Sequence, residues 1–152
     1  MSTQSLKNGV AAVIMLLCAT AFAADNLKLN PKLDYTSDSY DGPLITGDHM
    51  QDGLAAGQPN YIIIYGERCF NSKHQARRTV ELYARYKDQI HFVVIDMDLK
   101  RSPEQQKLTD QYYRGYIPHV VILDRSGKVL HNESGEVEGK RMEAILAKAL
   151  AK

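Results

Sequence analysis

Tyr61-Ile62-Ile63-Ile64-Tyr65-Gly66-Glu67-Arg68-Cys69-Phe70-Asn71-Ser72-Lys73 passes without a break from a β-branched and aromatic run, through one glycine, to a cysteine and then to polar sequence. Five consecutive apolar positions with no alternation predict a strand buried on both faces, as in a sheet covered by helices. The strand ends at Gly66. Beyond Cys69, Ala76, Val80 and Tyr83 recur at helical spacing, and Leu82 and Tyr86 widen the apolar face, so a helix reaches about Lys87. The cysteine therefore stands at a strand-to-helix turn.

Toward the C-terminus, His91 to Asp98 reads as a second buried strand centred on Phe92-Val93-Val94-Ile95. Strand, helix and strand in that order imply a parallel crossover unit. Ser102-Pro103-Glu104-Gln105 is a helix start with a Ser cap, Pro at the first helical position and Gln three residues after the cap. That helix runs to about Tyr113. Val120 to Leu123 is a strand, Asp124-Arg125-Ser126-Gly127 a turn, and Lys128 to His131 the hairpin partner. Met142, Ile145, Leu146, Ala149 and Leu150 form the apolar stripe of a last helix. The order is β-α-β-α-β-β-α, an α/β domain over residues 60–152.

Toward the N-terminus, residues 24–59 are rich in Asp, Ser, Gly and Asn, with turn signals at Gly42-Pro43 and Gln58-Pro59-Asn60. They read as a loosely ordered lead-in, with a short helix over Asp48 to Ala56 carried by Met50, Leu54 and Ala55. Residues 1–23 have a basic start at Lys7, an apolar stretch from Val10 to Leu17 and the small-residue pattern Ala21-Phe22-Ala23 of a secretory signal cut after Ala23. The apolar stretch is shorter than the roughly 20 residues a spanning helix needs, so no stable membrane insertion is expected after cleavage. Leu17 stands before Cys18, where a lipoprotein signal wants a small residue. The expected location is the bacterial periplasm or the outside of the cell.

Removing 23 of the 152 residues leaves 129, enough for one domain with a real core. Only Lys7 of the charged residues leaves with the signal, so 18 basic and 18 acidic side chains remain, and neither nucleic acid nor an anionic membrane is indicated. Of two cysteines, Cys69 alone survives processing, so no intramolecular disulfide forms. A lone thiol in an oxidising compartment is either buried and inert or reactive.

A cysteine at this turn, together with Gly115-Tyr116-Ile117-Pro118-His119 entering the third strand, resembles the thioredoxin-like superfamily over roughly Asn60 to the end. The resemblance implies a central mixed sheet flanked by helices, a redox motif at the start of the first helix, and a cis-proline loop facing it. Cys69 falls on the family's attacking cysteine and Ser72 on the second, giving C-x-x-S. Pro118 falls on the cis-proline, Ile117 on the residue that pairs with an extended client, and Tyr116 and Phe70 beside that groove. A thiolate at a helix N-terminus is favoured by the unpaired N–H groups and the dipole there. Arg68, Lys73, His74 and His119 are candidates to tune it, although each also reads as an ordinary surface or strand residue.

The departures from a housekeeping thioredoxin are specific. Ser72 cannot displace a partner from a mixed disulfide, so self-resolving dithiol chemistry is excluded. Ile63 stands where thioredoxins carry a buried Asp, Tyr65 and Arg68 where they carry Trp, and the kinking Pro of the first helix is replaced near Arg77. The histidines His49, His74, His91, His119 and His131 have no metal-ligand spacing, and no phosphate loop or dinucleotide fingerprint is present, so neither a metal nor a cofactor is expected.

Two functions remain in competition, with a third behind them. One is thiol-disulfide exchange through Cys69, by mixed disulfide with a protein thiol or disulfide or a small thiol that supplies the resolving sulfur. Another is a non-catalytic binding or assembly module of the cell envelope. The third is a disulfide-linked dimer through Cys69.

Overall fold

The computed structural model describes residues 24–40 and 42–151; the expected signal, 1–23, lies outside them. Its elements in chain order are β1 (Asp25–Leu29), β2 (Ile45–Asp48), β3 (Asn60–Tyr65), α1 (Phe70–Tyr86), β4 (His91–Asp96), α2 (Pro103–Tyr112), β5 (His119–Leu123), β6 (Val129–Ser134) and α3 (Gly139–Leu150). The four-stranded sheet runs β4-β3-β5-β6. β3 pairs parallel with β4 and antiparallel with β5, and β5 pairs antiparallel with β6.

Because side chains alternate across a strand, the apolar runs feed two cores at once. Tyr61, Ile63 and Tyr65 with Phe92, Val94, Val120 and Ile122 face Ala76 and Leu82 of α1 and Met142, Leu146 and Ala149 of α3. Ile62, Ile64, Val93, Ile95, Val121 and Leu123 face Leu108 and Tyr112 of α2 on the other side. All six residues of β3 are buried, as the unbroken run predicts. The capping box of α2 is formed in both directions: Ser102 Oγ accepts from the Gln105 N–H at 3.2 Å, and Gln105 Oε1 accepts from the Ser102 N–H at 3.3 Å.

The lead-in is where the structure departs from the sequence reading. β1 and β2 pair antiparallel as a second, two-stranded sheet, and Ala24, Leu27, Leu44 and Ile45 are buried in the core shared with α1 and α3. The segment is tied down by polar contacts as well: the Asn26 N–H donates to Tyr83 Oη of α1 at 2.8 Å. Tyr35 Oη donates to the Leu44 carbonyl at 2.6 Å and accepts from the Asn30 N–H at 2.9 Å, closing the loop between the strands. The expected helix over residues 48–56 is absent. Asn60 takes its place as an organiser, since its side chain both accepts from the Ala55 N–H and donates to the Ala55 carbonyl at 2.9 Å, satisfying backbone groups a helix would have paired internally. β6 is longer than the expected 128–131, continuing to Ser134 against β5.

Candidate functional site

The turn from β3 to α1 carries Cys69. It is the N-cap residue of α1, with extended backbone (φ −87°, ψ 119°), and is half-buried. No side chain of its own caps the helix; instead the Phe70 N–H donates to Asp38 Oδ1, from the loop between β1 and β2, at 3.1 Å. The Ile117-Pro118 peptide is cis, and the Cys69 thiol points at the Ile117 carbonyl oxygen, 3.7 Å away. Pro118 is buried, Ile117 half-buried and Tyr116 74 % exposed, so the loop offers an open backbone edge beside the sulfur. Ser72 is fully buried one turn into the helix, and its Oγ accepts from the Gly66 N–H at 3.4 Å, bracing the turn from below. A methyl on Gly66 would overlap Ile117 Cδ1, so the Ile117 side chain would have to turn aside to admit it.

The other sequence candidates divide. Phe70 is exposed and packs on His74, ring centres 4.2 Å apart; His74 Nδ1 lies 3.2 Å from Glu136 Oε1, on the flank of α1. Arg68 is exposed and its guanidinium lies 4.8 Å from the centre of the Tyr40 ring. Lys73 does not join the cysteine. It is 1 % exposed, and its Nζ donates to the carbonyls of Asp34, Ser37 and Ser39 at 2.6, 2.6 and 2.9 Å. Its charge is spent on the lead-in loop, which it anchors to α1. His119 is also fully buried and turned along the sheet, with Nδ1 2.8 Å from Ser134 Oγ and Nε2 2.6 Å from Asn132 Oδ1 of β6.

Three acidic residues that sequence reading passed over lie under the same turn. The Glu67 N–H donates to Asp98 Oδ2 at 2.8 Å, and the Asp98 N–H donates to Asp96 Oδ1 at 2.9 Å. Glu67 is 2 % and Asp96 8 % exposed, and their carboxyls are within hydrogen-bonding reach of each other. Burial, then the Asp96 charge, pushes the Glu67 carboxyl up to about 7. No spacing rule flags Glu67, an acid beside a cysteine; its burial is a product of tertiary packing alone. A separate cleft of about 190 Å³, lined by Ile45, Tyr65, Asp96, Leu99, Lys100 and Gln105 among others, opens between β2 and β4; Cys69 and Ile117 are not among its walls. Among the described residues no group of three or more His, Cys, Asp and Glu side chains is arranged to hold a metal, and no helix is long and apolar enough to cross a membrane.

Solved structures with this arrangement bear on its class. A structure of a malarial protein superposes with a TM-score of 0.51 at 16 % identity, covering 62 % of this chain and 99 % of that one. Chloroplastic thioredoxin z superposes at 0.50 with 15 % identity, covering 61 % and 79 %. Deadhead, a germline-specific thioredoxin of Drosophila melanogaster, gives 0.48 at 21 % identity over 60 % and 81 %. No protein-family model and no curated protein sequence matches the chain. The mixed sheet with helices on both faces is thus a thioredoxin-like fold, as the order of elements predicts. Among the described residues, β1 and β2 form a two-stranded sheet of their own beside the four-stranded one.

Proposed function

We propose that the protein is an exported monothiol protein of the thioredoxin-like fold that exchanges disulfides through Cys69. The observation carrying this reading is the Cys69 thiol at the N-cap of α1, half-exposed and facing the Ile117 carbonyl across the Pro118 loop. In the reaction the Cys69 thiol loses its proton to solvent and the thiolate attacks one sulfur of a partner disulfide. A new sulfur–sulfur bond forms, the old one breaks, and the second partner sulfur leaves as a thiolate that takes up a proton. Ser72 offers only a buried hydroxyl, so the adduct waits for a second thiol from the partner or from a small molecule. An extended client lies along Ile117 as an added strand, with Tyr116 and Phe70 at the sides.

A second reading, a binding or assembly module of the envelope, is favoured by the 74 % exposure of Tyr116 next to that backbone edge. One experiment separates the two. Incubation with glutathione disulfide is expected to leave one glutathione on Cys69, seen as a mass increase that Cys69→Ser abolishes and that Ser72→Cys makes short-lived. A Cys69 that takes up no glutathione until the protein is unfolded defeats the exchange reading and leaves the binding module.

A further inference from the structure

One oxygen of the Glu67 carboxyl and one of the Asp96 carboxyl are left without a donor. Glu67 Oε2 and Asp96 Oδ2 are both fully shielded from water, and neither has a hydrogen-bond partner among the N–H and O–H groups of the described residues. Two carboxylates side by side in a medium of low effective dielectric repel strongly, whereas a carboxylic acid hydrogen-bonded to a carboxylate satisfies both oxygens. We propose that Glu67 and Asp96 hold one proton between them, and that this proton makes Glu67 a positioning residue for the turn that presents Cys69.

The surroundings fix which acid keeps the proton. Asp96 also accepts from the Asp98 N–H at 2.9 Å, and the Tyr65 hydroxyl favours its anion, so that anion is the better stabilised. The Tyr40 hydroxyl eases the Glu67 anion only in part, and the Asp98 charge disfavours both anions. Arg68 is engaged over the Tyr40 ring, and Lys100 stands on the wall of the cleft that Asp96 also lines. Glu67 therefore carries the proton and donates it to Asp96, bridging the end of β3 to the end of β4. Its own backbone N–H is held by Asp98, so side chain and main chain of the residue two before the cysteine are both fixed to one strand end. Removing the proton sets two anions against each other at that point. The turn is then pushed off β4, and Cys69 moves relative to Ile117.

The effect on exchange rests on Cys69 being the working atom; the shared proton does not. The test is therefore made in the Cys69→Ser protein, where thiol ionisation contributes nothing. Carbon-13 NMR of the side-chain carboxyls is followed from pH 4 to 9, together with the amide signals of Gly66 and Arg68. The expected result is a Glu67 carboxyl that titrates near neutrality, with both amides moving at the same midpoint, and amides that stay put in Glu67→Gln. A Glu67 carboxyl titrating in the ordinary range near 4.3 overturns the shared proton. A neutral midpoint with motionless amides overturns the positioning role. Because the first measurement needs no change at Glu67 or Asp96, a variant that fails to fold does not remove the test. Failure of glutathione uptake at Cys69, in turn, leaves this titration where it is.

Discussion

Lys73 Nζ donates to the backbone oxygen of Ser37 at 2.6 Å, across 36 residues of sequence, and the same ammonium serves Asp34 and Ser39. A buried charge is tolerated when dipoles replace its water, and here three carbonyls do so. Lys73→Met keeps the stem and leaves those carbonyls without a donor. Stability is expected to fall by about 2–3 kcal/mol, measured by urea unfolding, and residues 34–40 are expected to become the first protease-sensitive segment. A Lys73→Met protein as stable and protease-resistant as the parent removes the anchor role.

What was legible in the chain, and what was not, follows from how each residue is stabilised. Ile62, Val93 and Val121 lie in runs whose character is local, and Ser102-Pro103-Glu104-Gln105 writes its own helix start, so β3, β4, β5 and α2 are readable without knowing their neighbours. β2 reads Ile-Thr-Gly-Asp, and its strand state comes from Leu27 and Ile45 reaching a core built by later elements. The place of Cys69 at the strand-to-helix turn and the cis peptide before Pro118 were readable because turn position and motif coincide. Asp38, a polar residue in a polar stretch, reaches the helix start only through the fold. Lys73 reads as a solvated residue at a helix start and is in fact buried, because the cage that holds it is made of backbone oxygens, which every sequence has.

Gly66 and Ile117 are expected to be energetically coupled. A methyl on Gly66 overlaps Ile117 Cδ1 and comes within 3.6 Å of Asp98 Oδ2, so Gly66→Ala displaces the side chain that lies beside Cys69. The cost is about 1–2 kcal/mol of overpacking. Ile117→Val removes the obstructing methyl, and the double variant is expected to regain most of that loss, a coupling of roughly 1 kcal/mol in a double-mutant cycle. Additive losses would show that the two positions do not share this space.

The pH dependence of stability has a worked sign at Glu67. In the folded chain this carboxyl keeps its proton up to about 7, whereas an unfolded glutamate releases it near about 4.3. Between those values the folded state binds more protons, so this group makes stability fall as pH rises from about 4.5 to about 7. His91 and His131, both lowered by burial, act in the opposite direction, weakening the fold as pH drops below about 6.5. The diagnostic is therefore the difference between variants. Glu67→Gln, which still donates to Asp96, is expected to gain more over the parent at pH 8 than at pH 5, by on the order of 2 kcal/mol. Equal gains at both pH values would place the effect elsewhere.

Asp38 caps the helix that begins at the cysteine. Its carboxylate occupies the Phe70 N–H at 3.1 Å, at the helix end where a Cys69 thiolate would be stabilised. Two anions at one terminus compete, so the parent thiol should react more slowly than a thiol at an N-terminus capped by a neutral group. Asp38→Asn keeps an acceptor oxygen for Phe70 and removes the charge. With a charge at a helix terminus worth about 0.3–1 kcal/mol, alkylation of Cys69 by neutral iodoacetamide at pH 7 and low salt is expected to quicken about two- to fivefold. The difference should shrink as salt is added, since the interaction is near the surface and screened. Asp38→Ala, which also removes the cap, is expected to show the same acceleration together with a stability loss of about 1 kcal/mol. An unchanged rate in Asp38→Asn at low salt would mean that the loop between β1 and β2 caps the helix without restraining the sulfur, and that Cys69 is governed by its contact with Ile117 alone.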